Sequence, residues 1–141
     1  VSGCYWERLS GLGGTLGEIL ANDFQGYNGR AIVDITGTEV AFSFTGKCGS
    51  FKTYVAPTSA PATSIVPGAH VVGAHILSGT YMAQAAAGCY WERTRSFDGK
   101  LSSIIANDFV GTAGTQYVAI SSSDVGFITD ADGGTWQRVS A

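Results

Sequence analysis

Side chains able to do chemistry recur together in two identical stretches, GCYWER at Gly3 to Arg8 and again at Gly88 to Arg93. Read as a strand, each copy splits its residues between two faces. Cys4, Trp6 and Arg8 share one face, Tyr5 and Glu7 the other, and Tyr90 and Glu92 repeat that second pair. A Cys and a Trp on one face suit a core, with the Glu and Arg in structural roles. The opposing Tyr and Glu suit an aromatic and polar strip that a ligand can use. Tyr27 and Trp136 add two more aromatic surfaces. Tyr5, Glu7, Tyr27, Tyr90, Glu92 and Trp136 are therefore the candidate ligand-binding residues, with glycan stacking the natural chemistry.

Signatures of catalysis are missing. His70 and His75 are the only histidines, and five residues apart on a strand they point to opposite faces, which suits no chelate. There is no GxSxG, no phosphate-cradling glycine loop and no CxxC. The acids repeated between the stretches, Glu7/Glu92, Asp23/Asp108 and Glu39/Asp124, sit where strand or turn chemistry accounts for them. The Asn22-Asp23 pair in particular reads as the close of a strand and a turn, ahead of any metal role. The expectation is a non-enzymatic protein with no catalytic residue, no metal and no cofactor.

What must position these residues is a duplication. Shifted by 85 positions the chain matches itself without a gap, through ANDF at Ala21 to Phe24 and Ala106 to Phe109, then Val33/Val118, Ile35/Ile120 and Phe42/Phe127. Period-two alternation that survives duplication predicts strands with one buried face. Strands are expected at 3–8, 19–23, 31–35, 40–44 and 51–55, and at the matching positions of the second copy. Thr15 and Glu18 have the spacing of a helix capping box, but Lys100 and Ser103 replace them and Ile104-Ile105 favours a pleated surface. The stretch 56–67 holds all three prolines and reads as an extended linker. Two further strands, 69–75 and 79–83, lead into the second GCYWER and have no counterpart in the first copy. The expected organisation is all-β: two tandem β-sandwich-like domains, residues 1–56 and 66–141, with 57–65 between them.

Composition agrees. Twenty glycines and only 13% charged residues favour short strands and tight turns. A net charge of -3 without a basic run gives nucleic acid no electrostatic foothold. The uncharged stretch 53–91 is broken by prolines and never sustains the about 18 apolar residues a membrane span needs. The chain opens at Val1 with neither a Met nor a secretion signal, as expected of a sequence trimmed by processing or cloning. Cys4 matches Cys89, but Cys48 matches Gly133, so the first copy holds a pair and the second a lone thiol. A Cys4–Cys48 disulfide is expected, which implies an oxidising compartment; two reduced core thiols are the alternative. Cys89 is expected to be free, buried and inert.

The succession GCYWER, a glycine-containing turn, LSSIIANDF at Leu101 to Phe109, two strands and a final Gly-Thr-Trp resembles a small all-β module of secreted and envelope-associated proteins of Gram-positive bacteria, chiefly actinobacteria. The lead-in of that family, VGxDIxPGTY, corresponds to Val72 to Tyr81, with His75 for the Asp and Ser78 for the Pro. The resemblance covers nearly the whole chain and implies an extracytoplasmic location; it carries over no activity and no functional residue. The functional expectation is a non-catalytic binding or adhesion module, its partner a cell-surface glycan. The alternative is a structural subunit that associates with protein, including copies of itself, by strand addition at an edge left open in the first copy.

Overall fold

The structure, a computed structural model, describes residues 3–141. Among them eleven strands are formed: β1 Cys4–Leu9, β2 Ile19–Gln25, β3 Ala41–Gly46, β4 Ser64–Ile65, β5 Gly68–Val71, β6 Gly79–Ala85, β7 Cys89–Thr94, β8 Ile104–Val110, β9 Gly114–Ile120, β10 Gly126–Thr129 and β11 Trp136–Ser140. They make one three-stranded antiparallel sheet, β2-β1-β3, and two four-stranded ones, β5-β10-β7-β8 and β4-β11-β6-β9. The protein is all-β.

Duplication in the sequence is duplication in register. Tyr5 opposes Phe24 and Glu7 opposes Asn22 in the first copy, as Tyr90 opposes Phe109 and Glu92 opposes Asn107 in the second. Both hairpins break register at the same place, after Arg8 and after Arg93. Ahead of β2 and β8 the chain makes one 3-10 turn, Leu16–Glu18 and Leu101–Ser103. The Thr15–Glu18 capping box is formed, Glu18 Oε1 accepting from Thr15 N at 3.2 Å and Thr15 Oγ1 at 2.8 Å. It caps that single turn, and the strand follows at once. The Asn22-Asp23 pair, read from sequence as closing the strand, lies within β2.

In the second copy the two four-stranded sheets close on each other as a sandwich. Its core takes Cys89, Val110 and Phe127 from one sheet and Ile65, Tyr81, Val118 and Trp136 from the other. Phe127 meets Trp136 edge-on at 5.8 Å, and Trp136 Nε1 donates to Thr129 Oγ1 at 3.0 Å. The last residues of the proline-rich stretch belong to this sandwich, since Ser64 and Ile65 pair with Gln137 and Trp136.

The first copy contributes one sheet. Residues 31–35 and 51–55, expected as strands, are not paired into a ladder. Their counterparts, β9 and β11, both pair with β6, and the first copy has no equivalent of β6 among the described residues. A strand without a neighbour leaves its backbone groups unsatisfied, so the two segments take other partners or face water. Asp34 N donates to Phe97 O and Ala69 N to Arg30 O, each at 2.8 Å, which ties the first of them to the second copy. Phe51 packs edge-on against Phe42 at 5.2 Å.

The first sheet thereby uses the second copy as its missing layer. Its Trp6 face turns toward the outer face of β5-β10-β7-β8, and both faces line one cleft. Gly99 sits at φ +77°, and a Cβ there would lie 2.7 Å from the Trp6 ring and 3.1 Å from Ala21 Cβ. Arg8, 1% exposed, donates to Glu39 at 2.6 Å through Nε and to Thr36 Oγ1 at 3.1 Å, and reaches across to the Asp98 carbonyl. Arg93 pairs with Asp124 at 2.7 Å in the corresponding place. The expected Cys4–Cys48 disulfide is formed, with Cα atoms 4.6 Å apart, and Cys89 is a buried free thiol.

Candidate functional site

Where the first sheet faces the second copy a cleft of about 320 Å³ is left open. Strand alternation decides what enters it. From the first copy come Trp6, Asp23 and Gln25, which share a face because Trp6 opposes Asp23 and Cys4 opposes Gln25. From the second come Tyr90, Glu92, Ile128 and Ala69, aligned because Glu92 opposes Ile128 and Ile128 opposes Ala69. Tyr27 and Arg30 reach in from the loop after β2, and Lys100 from the turn before β8. Gln25 Nε2 donates to Tyr27 O at 3.2 Å and Gly29 O at 2.8 Å, which fixes that loop.

Desolvation dominates the electrostatics of the two cleft carboxylates, Asp23 and Glu92. Glu92 is pushed up to about 7, first by desolvation and then by the charge of Asp23. Asp23, open on one side, is raised from its ordinary value by desolvation, against a hydrogen bond from the Phe24 backbone. Tyr27 is pushed up to about 12 by desolvation, with Asp23, Asp130 and Glu92 adding to it. Among the described residues no donor reaches the Glu92 carboxylate. Arg30 is engaged elsewhere, its Nε donating to Ala69 O at 2.9 Å and its Nη2 meeting His70 Nδ1 at 3.0 Å. His70 is held down to about 4, chiefly by burial.

The six candidate ligand residues divide three ways. Tyr27, Tyr90 and Glu92 line the cleft together. Tyr5 and Glu7 lie on the opposite face of the first sheet, Tyr5 Oη donating to Glu7 Oε2 at 3.0 Å and accepting from Asn22 at 3.2 Å. The same contact recurs in the second copy, Asn107 donating to Tyr90 Oη at 3.2 Å, but there it faces the cleft. Trp136 is a correction: it is 0% exposed in the sandwich core and offers no platform. Its place at the start of β11, on the face turned toward Phe127, put it inside.

Arg30 and Lys100 belong to the cleft and were not singled out from sequence, while Asp23, read there as a turn residue, and Trp6, read as core, line it too. The signal available was the alternation that places Asp23 on the Trp6 face; what it lacked was that this face meets a second sheet of the same chain. The histidines also need correcting. Because β5 ends at Val71, His75 lies in a turn and the two rings come within 6.4 Å, edge to face. His75 Nδ1 accepts from Val71 N at 2.9 Å, and among the described residues no group of three or more His, Cys, Asp or Glu is gathered as for a metal. No described helix is long and apolar enough to cross a membrane.

No curated protein and no solved structure matches the chain. One family model does, over residues 1–52 and 60–137, so that both copies fall inside it. It describes an extracellular domain, which agrees with the oxidised Cys4–Cys48 pair and with the actinobacterial extracellular module the sequence resembles. The chain belongs to the Rv1352-like extracellular domain family and is an extracytoplasmic, disulfide-bonded β protein.

Proposed function

We propose that the chain is a non-catalytic binding module of the cell exterior, and that the cleft between its two copies holds a unit of a surface glycan. One observation carries this reading: two tyrosines and a carboxylate with no protein donor converge on one opening between two sheets. Half-buried tyrosines give flat surfaces for sugar rings, and a free carboxylate accepts from hydroxyls. Glycan-array binding of the full chain, followed by titration of Tyr27→Ala and Tyr90→Ala, tests it. The expected result is binding that falls at least tenfold in both variants. Binding that both variants leave unchanged would move the site elsewhere, and an empty array would remove the glycan.

A second reading, assembly by strand addition, draws on the first sheet. β2 and β3 each have one neighbour, and Ile35, Tyr54 and Val55 are exposed on the two segments that formed no ladder. Unpaired edges of this kind accept a strand from another chain. Light scattering decides it: a concentration-dependent rise in mass favours assembly, and a constant monomer mass to millimolar concentration opposes it.

A further inference from the structure

Both histidines of the chain stand where the first copy meets the second. Arg30, in the loop after β2, lies alongside Gly68 of the edge strand β5. Ala69 N donates to Arg30 O at 2.8 Å, and Arg30 Nε donates back to Ala69 O at 2.9 Å. The approach is close, since a Cβ on Gly29 would lie 2.7 Å from Pro67 O. From there the guanidinium reaches His70, its Nη2 3.0 Å from Nδ1. Tyr54, also of the first copy, meets His75 edge-on at 5.7 Å, and His75 meets His70 at 6.4 Å.

His70 is 5% exposed and both of its ring nitrogens are taken, Nε2 lying 2.7 Å from Val66 O and Nδ1 facing Arg30. A carbonyl only accepts and a guanidinium only donates, so a single form satisfies both: the neutral ring with its proton on Nε2. A second proton would sit on Nδ1 and point at an N–H of Arg30, donor against donor and charge against charge.

We propose that His70 is a pH-sensitive clasp between the two copies, holding Arg30 while neutral and releasing it once protonated. The groups around the ring are Arg30, which keeps its charge, His75 in the turn after β5 with Tyr54 behind it, and the apolar Phe127 opposite on β10. Burial first, then the charges of Arg30 and His75, hold His70 at about 4, against the hydrogen bond to the Val66 carbonyl. The clasped ring therefore binds its proton more weakly than a released one. Docking is strongest above about 6.5 and weakens as pH falls toward 4, by on the order of tenfold at pH 5. His75, lowered by burial and then by Arg30, accepts from Val71 N inside the second copy and serves as a control. Asp23 and Glu92 line the cleft on the other face of this sheet, where Glu92 and Ala69 both oppose Ile128. Raised by desolvation, they act in the opposite sense. Arg30 also lines the cleft, so its release frees one wall whatever the cleft binds.

Amide hydrogen exchange of the full chain at pH 7.5 and pH 5, corrected for intrinsic rates, tests the clasp. Asp34 and Ala69, whose N–H groups cross between the copies, are read against the amides of β6 in the second core. Glu92→Gln is the parent, which removes the main opposing titration, and His70→Gln or His75→Gln is added to it. In the parent, protection of Asp34 and Ala69 should fall at least tenfold at pH 5 while β6 keeps its own. Adding His70→Gln should abolish that fall, and adding His75→Gln should leave it. No fall in the parent, or an equal fall with His70→Gln, overturns the clasp. NMR titration of the wild-type ring needs no variant: His70 should take up its proton well below pH 6.5, and a ring that protonates near 6.5 with Asp34 and Ala69 still protected overturns it as well.

Discussion

Glu92 is the residue whose environment departs furthest from its sequence reading. Its folded carboxyl holds its proton to about 7, against 4.5 in its ordinary state. The folded state thus binds protons more tightly than the unfolded one, so the contribution of Glu92 falls as pH rises from about 4.5 to about 7 and is level above that. Glu39 acts in the opposite sense: the Thr36 backbone first, then Arg8 and the Thr36 hydroxyl, hold it at about 2, so its contribution is lost as pH falls from 4.5 toward 2. We expect greatest stability on the acid side of neutrality. Glu92→Gln should flatten the decline and raise stability at pH 8 by on the order of 1–2 kcal/mol after allowance for partial exposure. Urea unfolding at pH 5, 6, 7 and 8 measures this, and parallel pH profiles for the two proteins would contradict it.

Cys89 supplies a second prediction at this scale. A Cβ on Gly133 would lie 3.0 Å from Cys89 Sγ, about the spacing across a disulfide. Gly133→Cys should therefore close the bond that Cys4 and Cys48 make in the first copy, and stabilise by roughly 2 kcal/mol once the Thr129 hydroxyl, 2.6 Å from the new Cβ, has turned aside. Thiol titration should find no free cysteine, with the gain abolished by reductant; two free thiols would refute it. The bond in the first copy was legible because Cys48 has no repeat partner. Trp136 was misplaced because its exposure depends on a sheet whose pairing lies 54 or more residues away in sequence, at Met82 and Ile65.

At the scale of elements, alternation predicted the strands that keep a neighbour and overpredicted those that do not. Residues 114–120 and 29–35 are related by duplication, yet only the former is a strand, because β6 pairs beside it. Similar period-two alternation thus leads to different structure when the pairing partner differs. The two turn glycines show the same contrast. Gly14 and Gly99 have φ of +76° and +77°, but a Cβ on Gly14 meets open space while one on Gly99 meets Trp6. Alanine at either position costs about 1 kcal/mol for the left-handed backbone. Gly99→Ala should cost at least about 1 kcal/mol more and should quench or shift Trp6 fluorescence, while Gly14→Ala leaves it alone. Equal losses would mean that the turn does not seat the first sheet.

Over the whole molecule, the sequence announced two alike sandwiches and the protein stacks three sheets, of which the middle one serves both copies. Its inner face closes the core of the second copy around Phe127 and Trp136; its outer face, with Tyr90 and Glu92, is the floor on which the first sheet rests. Duplication was plain from GCYWER and ANDF, whereas the docking of one copy on the other has no periodic signature, since it runs through single contacts such as Asp34 to Phe97 and Arg8 to Asp98. The cleft exists because of that docking. The most direct test produces residues 1–56 and 60–141 as separate oxidised chains and records amide spectra of each and of their mixture. The account predicts that 60–141 folds alone, that 1–56 does not, and that mixing orders 1–56 while shifting Tyr90, Glu92 and Phe97. A 1–56 chain that folds by itself and leaves the spectrum of 60–141 untouched would contradict it.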